Sequence, residues 1–173
     1  MDDLLADMTH EFRRSKNLAD RAMAQLDDQD FFGRPTESVN PAALIVKHLA
    51  GNLISRWTDF LTTDGEKPSR ERDGEFIVTE QDTRMNLLAA WERGWKALFE
   101  TIADLRPSDL TKSVIIRGEI QTVRQALLRG MSHVAYHTGQ ILYLLRLLRP
   151  ESTWLTIAPG NSQGHPGDYR ISS

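Results

Sequence analysis

Apolar residues recur at steps of three and four positions along most of this chain, which is the spacing of one face of an amphipathic helix. Four stretches show the pattern, at about residues 2–27, 40–62, 79–105 and 122–150. Each is long enough to form several helical turns and carries polar residues on its other side. The pattern therefore predicts four long helices that bury their apolar faces against one another.

Polar residues at the starts of these stretches support the same boundaries. Asn40-Pro41 offers Asn as a helix cap and Pro at the first helical position. Thr122 and Gln125 form a capping box for the last helix, and Thr79–Asp82 resembles one, with Asp in place of Glu or Gln. Four amphipathic helices with polar connections close most naturally into a four-helix bundle of the all-α class.

The connections carry two further signals. Residues 113–122 have β-branched side chains around Arg117-Gly118, which predicts a small β-hairpin before the last helix. Residues 63–75 are dense in charge, Gly and Pro and indicate a solvated connection, although their arginines are alternatively candidates for the rim of a pocket for an anionic substrate. We expect a single bundle domain over residues 1–155 and a loosely ordered C-terminal tail over residues 156–173.

Composition limits the side chains available for catalysis or metal binding and the classes of partner to expect. The 173 residues include no cysteine, which excludes disulfides, thiolate metal sites and a cysteine nucleophile. The net charge of −3 gives no reason to expect a nucleic acid or an anionic membrane as partner. No basic leader and no long apolar run occur, so we expect a cytoplasmic protein without a membrane span.

Histidines supply the candidate metal site. His133 and His137 are four residues apart on the apolar face of the last predicted helix, so both rings leave the same side. Either a shared divalent metal or neighbouring hydroxyls and carbonyls would satisfy their nitrogens. His48 lies at the margin of the apolar stripe of the second helix and can serve as a third ligand. A third histidine favours the metal over hydroxyls and carbonyls. His10 and His165 are predicted to be solvated.

This constellation resembles the DinB/YfiT-like superfamily of metal-binding four-helix bundles. The residues that carry the resemblance are His48, which follows the Asn40-Pro41 start, and the segment His133-Val-Ala-Tyr-His137-Thr-Gly-Gln140. The superfamily commonly has His-x-x-x-His followed shortly by Gly-Gln, and here Thr138 intervenes. The resemblance extends over about residues 3–160 and is to an uncharacterised bacterial branch.

The resemblance implies a homodimer-prone bundle whose three histidines hold Zn, Ni or a similar divalent ion. It further implies a small-molecule substrate and a metal-dependent enzyme of the thiol S-transferase or hydrolase type, with a low-molecular-weight thiol as a possible co-substrate. The alternative is a non-catalytic metal-binding protein for stress response or interaction. No catalytic residue is identified, but Asn52, one turn from His48, is a candidate to orient a bound ligand, and Tyr136 and Gln140 are weaker candidates.

Overall fold

The computed structural model describes residues 2–161, and it is dominated by helices. Within that range the elements, in chain order, are α1 (Asp2–Met23), α2 (Asp28–Phe32), α3 (Ala42–Trp57), α4 (Arg84–Asp104), the antiparallel hairpin strands β1 (Ser113–Ile116) and β2 (Glu119–Thr122), and α5 (Val123–Leu148). Single 3-10 turns occur at Asp73–Phe76 and Pro107–Thr111. The predicted all-α fold with a small hairpin before the last helix is confirmed. No helix in the described range is both long enough and apolar enough to cross a bilayer.

The four long helices pack as two main pairs, α3 along α4 and α1 along α5, and α3 also contacts α5. Gly94 permits the close approach of α4 to α3, because a Cβ there would lie 3.0 Å from Cβ of Leu53 and 3.2 Å from the carbonyl oxygen of Ala50. The centre of the core is aromatic and contains Trp57, Trp91, Trp95 and Phe12, all fully buried. These tryptophans are therefore committed to the core of one chain, and they give no support to a dimer interface.

The limits of α3 differ from the prediction at both ends. Pro41 has an extended backbone and is itself the cap, with its carbonyl accepting the N–H groups of Leu44 and Ile45, while no side chain caps the helix. The helix ends at Trp57 and not at Thr62. Asp59 takes a left-handed conformation (φ 49°), which breaks the helical path. Asp59 consequently does not continue the helical face that carries His48.

Capping chemistry accounts for the other boundaries. The Thr122/Gln125 capping box of α5 is confirmed, with Gln125 N–H donating to the Thr122 hydroxyl at 3.1 Å. Thr83, not Thr79, caps α4, and the predicted Thr79–Asp82 hydrogen bond at 2.7 Å closes a separate turn ahead of the helix. The unpredicted helix α2 begins at an Asp27 cap. α5 ends at Leu148, before Pro150.

The connection between α3 and α4 is exposed at residues 63, 68, 69 and 71–73, as expected, but other residues attach it to the bundle. The Ser55 hydroxyl on α3 accepts the backbone N–H of Lys67 at 2.9 Å. The Asp64 carboxylate accepts the backbone N–H groups of Arg117 and Gly118 in the hairpin turn, each at 2.8 Å. These bonds tie the connection to both α3 and the hairpin. Its later part contacts the histidine cluster through Glu75, whose Oε2 lies 2.8 Å from Nδ1 of His48.

Candidate metal centre and adjoining cavity

The three predicted histidines come together between α3 and α5. His48 on α3 and His133 on α5 have their Nε2 atoms 3.3 Å apart, and the Nε2 atoms of His133 and His137 are 3.2 Å apart. One ligand nitrogen from each ring lies within 4.8 Å of the other two. His48 is buried, with 4% of its surface exposed, and the other two are partly buried. Helical spacing places His133 above His137, and the packing of α3 on α5 supplies His48.

These separations fit a shared divalent ion. Two imidazole nitrogens on one tetrahedral zinc, each with a bond of about 2.0–2.1 Å, are about 3.3–3.4 Å apart. The two measured Nε2 separations, 3.3 and 3.2 Å, are close to that value. Mutual hydrogen bonds are the competing explanation, but they would require a proton on one of the converging nitrogens. Metal binding by the three rings stays a prediction, and the measured Nε2 separations are consistent with it.

Acceptors at the outer nitrogens of His48 and His137 favour the tautomer that a metal ligand needs, whereas Nδ1 of His133 is buried and has no hydrogen-bond partner among residues 2–161. Nδ1 of His48 lies 2.8 Å from Oε2 of Glu75, and Nδ1 of His137 lies 2.7 Å from Oε1 of Gln140, as the amide is assigned. A ring that donates from Nδ1 has its lone pair on Nε2 when it is neutral, and such second contacts orient metal-binding histidines. If His133 donated from Nε2, it could satisfy only one of the two facing lone pairs. A metal satisfies all three.

Glu75 is held by an ion pair as well as by His48. Its Oε1 accepts Nε of Arg70 at 2.7 Å and its Oε2 accepts Nη2 of Arg70 at 2.8 Å. Burial by itself raises the pKa of Glu75, but the hydrogen bonds from His48 and Arg70 outweigh it and hold that pKa below its ordinary value. Gly51 makes room for the carboxylate, since a Cβ there would overlap Oε1 of Glu75.

Burial also keeps the two histidines of α5 neutral. It lowers the pKa of His133 to about 3, with the neighbouring rings and the charges of Arg56 and Arg70 acting in the same direction. Burial lowers the pKa of His137 too, and the hydrogen bond with Gln140 opposes part of that shift. Metal binding requires the neutral imidazole, so neither ring has to release a proton to bind an ion at neutral pH.

A small cavity of about 120 Å³ adjoins the centre. Its walls are two of the three histidines, one amide and four guanidinium groups, contributed by His48, His133, Asn52, Arg56, Arg72, Arg117 and Arg129. None of the described residues that line it is an aspartate or a glutamate. The centre therefore opens onto a strongly positive space.

The remaining sequence candidates fall in different places. Asn52 is buried and lines the cavity beside His48, as a ligand-orienting residue would. Gln140 contacts His137, and the exposed Tyr136 hydroxyl accepts Nε2–H of Gln140 at 3.2 Å. His10 is exposed on α1 and is not part of the cluster. His165 lies outside the described residues.

Sequence reasoning missed Glu75 and three of the four arginines that line the cavity, Arg56, Arg117 and Arg129. Arg56 lies four residues after Asn52, on the same helical face, so its position in the repeat was a usable signal. Glu75 gave no such signal, because it is one of several carboxylates in a segment without periodicity. Its role appears only when the connection folds back onto α3.

Comparison with known proteins yields a family and no relative of established function. No curated protein and no solved structure matches the chain. A family model described as "Protein of unknown function (DUF1572)" matches residues 1–161 and so covers most of the chain, including all three histidines of the cluster. The chain belongs to that family, the proteins of unknown function DUF1572.

Proposed function

We propose that this protein is a metal-dependent enzyme in which His48, His133 and His137 bind one divalent ion, with Zn²⁺ or Ni²⁺ as the preferred metals. The observation that carries the proposal is the convergence of three Nε2 atoms, two of them at 3.3 and 3.2 Å from the third. Imidazole ligands suit both metals. The resemblance to the DinB/YfiT-like superfamily supports the same three ligands and the same class of metal.

The site has the character of a catalytic centre more than of a structural one. Three protein ligands leave a coordination position free, whereas structural zinc sites are closed by four. A bound ion would supply a lowered pKa to a coordinated water or thiol, and with it a nucleophile near neutral pH. The chain's own residues do the rest: Glu75 and Gln140 orient two of the rings, and Asn52 offers an amide to a ligand in the cavity.

The resemblance and the cavity together support the proposed reaction class. Thiol S-transfer and hydrolysis both need an activated nucleophile beside space for a small-molecule substrate, and the first also needs a low-molecular-weight thiol. A non-catalytic metal-binding protein for stress response or interaction is the alternative. The cavity beside His48 and His133 favours the enzyme, because a site built only to hold its ion needs no open space next to the ligands.

Metal analysis of protein purified without an affinity tag tests the ligand set. We expect about one divalent ion per chain, as in other sites of this donor set. His137→Ala removes one of three ligands and should lower occupancy sharply, while the matched variant His10→Ala, on α1, should keep it. Full occupancy in His137→Ala would refute the proposed site.

Activity assays separate the enzyme from the alternative. Protein reconstituted with Zn²⁺ or Ni²⁺ is incubated with model electrophiles and cellular thiols, and separately with activated esters and amides. We expect metal-dependent turnover with one of the two groups of substrates. His137→Ala should lose this turnover, and adding Zn²⁺ or Ni²⁺ to that variant should not restore it. Stoichiometric metal without turnover in either set would favour the non-catalytic alternative.

A further inference from the structure

Arg56 is a buried charge with no counter-ion among residues 2–161. Only 5% of its surface is exposed, and its Nε atom has no hydrogen-bond partner among residues 2–161. No carboxylate lies within ion-pair distance of it in that part of the chain. Arg70, by contrast, has a side chain that is only 4% exposed but pairs with Glu75 and Glu66. A guanidinium is rarely buried unless an anion or several acceptors satisfy it.

The nearest charges make the position of Arg56 still less favourable. Burial lowers its pKa to about 10, and the positive charges of Arg129, Arg70 and Arg117 push it further in that direction. Glu66 opposes them only weakly. Three arginines face the same cavity as Arg56: Arg72, Arg117 and Arg129. Of these, only Arg117 has an ion pair in the described residues, with Glu66 at 3.3 Å.

We propose that this arginine-lined cavity binds the oxyanion group of the substrate, a carboxylate or a phosphate, with Arg56 as its buried anchor. Arg72, Arg117 and Arg129 form the rim, and His48 and His133 form the wall next to the metal. Guanidinium groups match such oxyanions because their planar N–H pairs donate two parallel hydrogen bonds. An incoming anion would offset the mutual repulsion of the four arginines.

Cavity size limits which part of the substrate binds there. Whole drug-sized ligands occupy pockets of roughly 300–1,000 Å³. The cavity here has about 120 Å³, which suits one small charged group. The rest of the substrate then lies outside it, and the anionic group is placed directly beside the metal ligands. The anion site rests on the proposed function only in assigning the anion to the substrate; its residues bind an oxyanion without a metal.

Calorimetric titration of metal-free protein tests the site by itself. The chelator-treated chain is titrated with inorganic phosphate and, separately, with acetate, at constant low ionic strength. We expect one binding site for at least one of the two, and the tighter anion identifies the chemical class. Arg56→Met should weaken binding about tenfold or more, since it removes charge-assisted hydrogen bonds. Arg124→Gln, an exposed arginine of α5 away from the cavity, is the matched control and should bind as the wild type does.

A second variant guards against misfolding of Arg56→Met. The double variant Arg72→Gln/Arg129→Gln changes two exposed side chains and should weaken binding several-fold with the fold intact. In the absence of anion, Arg56→Met should also raise the melting temperature, because it removes an unpaired buried charge. Phosphate or acetate should stabilise the wild type more than Arg56→Met at the same anion concentration.

The outcomes separate this proposal from the proposed function. Absence of binding by the wild type at millimolar phosphate and acetate, or equal affinity in the wild type and the double rim variant, overturns the anion site even if the three histidines bind metal. Anion binding that depends on Arg56 in a protein that never retains metal supports the anion site and refutes the metal-dependent enzyme.

Discussion

Removal of the Glu75 carboxylate is the sharpest perturbation that the centre allows, because this group serves two partners at once. It accepts two hydrogen bonds from Arg70 at 2.7 and 2.8 Å and one from Nδ1 of His48 at 2.8 Å. The Arg70 and Glu75 side chains are only 4% and 8% exposed, so solvent screens their attraction little. In Glu75→Ala, the guanidinium of Arg70 retains only its ion pair with Glu66, and Nδ1 of His48 loses its hydrogen-bond acceptor.

The expected loss of stability follows from that burial. Breaking a buried ion pair by removing one partner costs about 3 to 5 kcal/mol. Glu66 remains at 3.1 Å from Nη1 of Arg70 and compensates in part. We therefore expect the free energy of unfolding of the metal-free protein to fall by about 3 kcal/mol. For a domain of this size, that corresponds to a melting temperature lower by about 6 to 12 °C.

The same variant should weaken metal binding, because a second contact that orients a ligating histidine is worth about 10- to 100-fold in affinity. The assays are denaturant unfolding of the metal-free protein and competition of the metal-loaded protein against a chelator. Glu75→Gln keeps an acceptor oxygen for His48 and should fall between the wild type and Glu75→Ala in affinity. Glu71→Ala, an exposed carboxylate of the same connection, is the control. Stability and affinity both equal to those of Glu71→Ala would refute the roles assigned to Glu75.

Two further predictions concern close packing and assembly. Gly51→Ala should displace the Glu75 carboxylate, which lowers the free energy of unfolding by about 1–3 kcal/mol, as overpacking does, and weakens metal affinity. Gly139→Ala, where a Cβ would meet nothing within 4 Å, should instead raise the free energy of unfolding by about 1 kcal/mol. Equal unfolding free energies for the two variants would contradict this prediction. The resemblance also predicts a homodimer, and light scattering that gives the mass of a single chain at micromolar concentration would contradict that expectation.

Local patterns were sufficient for most of the fold. The spacing of apolar residues located the four long helices, and the hairpin and the Thr122/Gln125 capping box were found because each depends on residues close together in sequence. The errors lie at boundaries where backbone geometry overrides composition. Pro41 took the capping position expected of Asn40, and the left-handed Asp59 ended α3 before Thr62.

For the candidate site too, local sequence predicted one part and tertiary packing decided the rest. The spacing of His133 and His137 by itself put two imidazoles on one face of α5, since a helix repeats every 3.6 residues. The resemblance named His48 as a third ligand, but only the tertiary structure shows that His48 meets His133 and His137. The tertiary structure alone also shows that Glu75, 27 positions from His48, contacts it, and that Arg56 faces a cavity with no counter-ion among residues 2–161. These contacts depend on how α3, α5 and the connection pack, and packing joins residues distant in sequence through burial and charge, which no local pattern records.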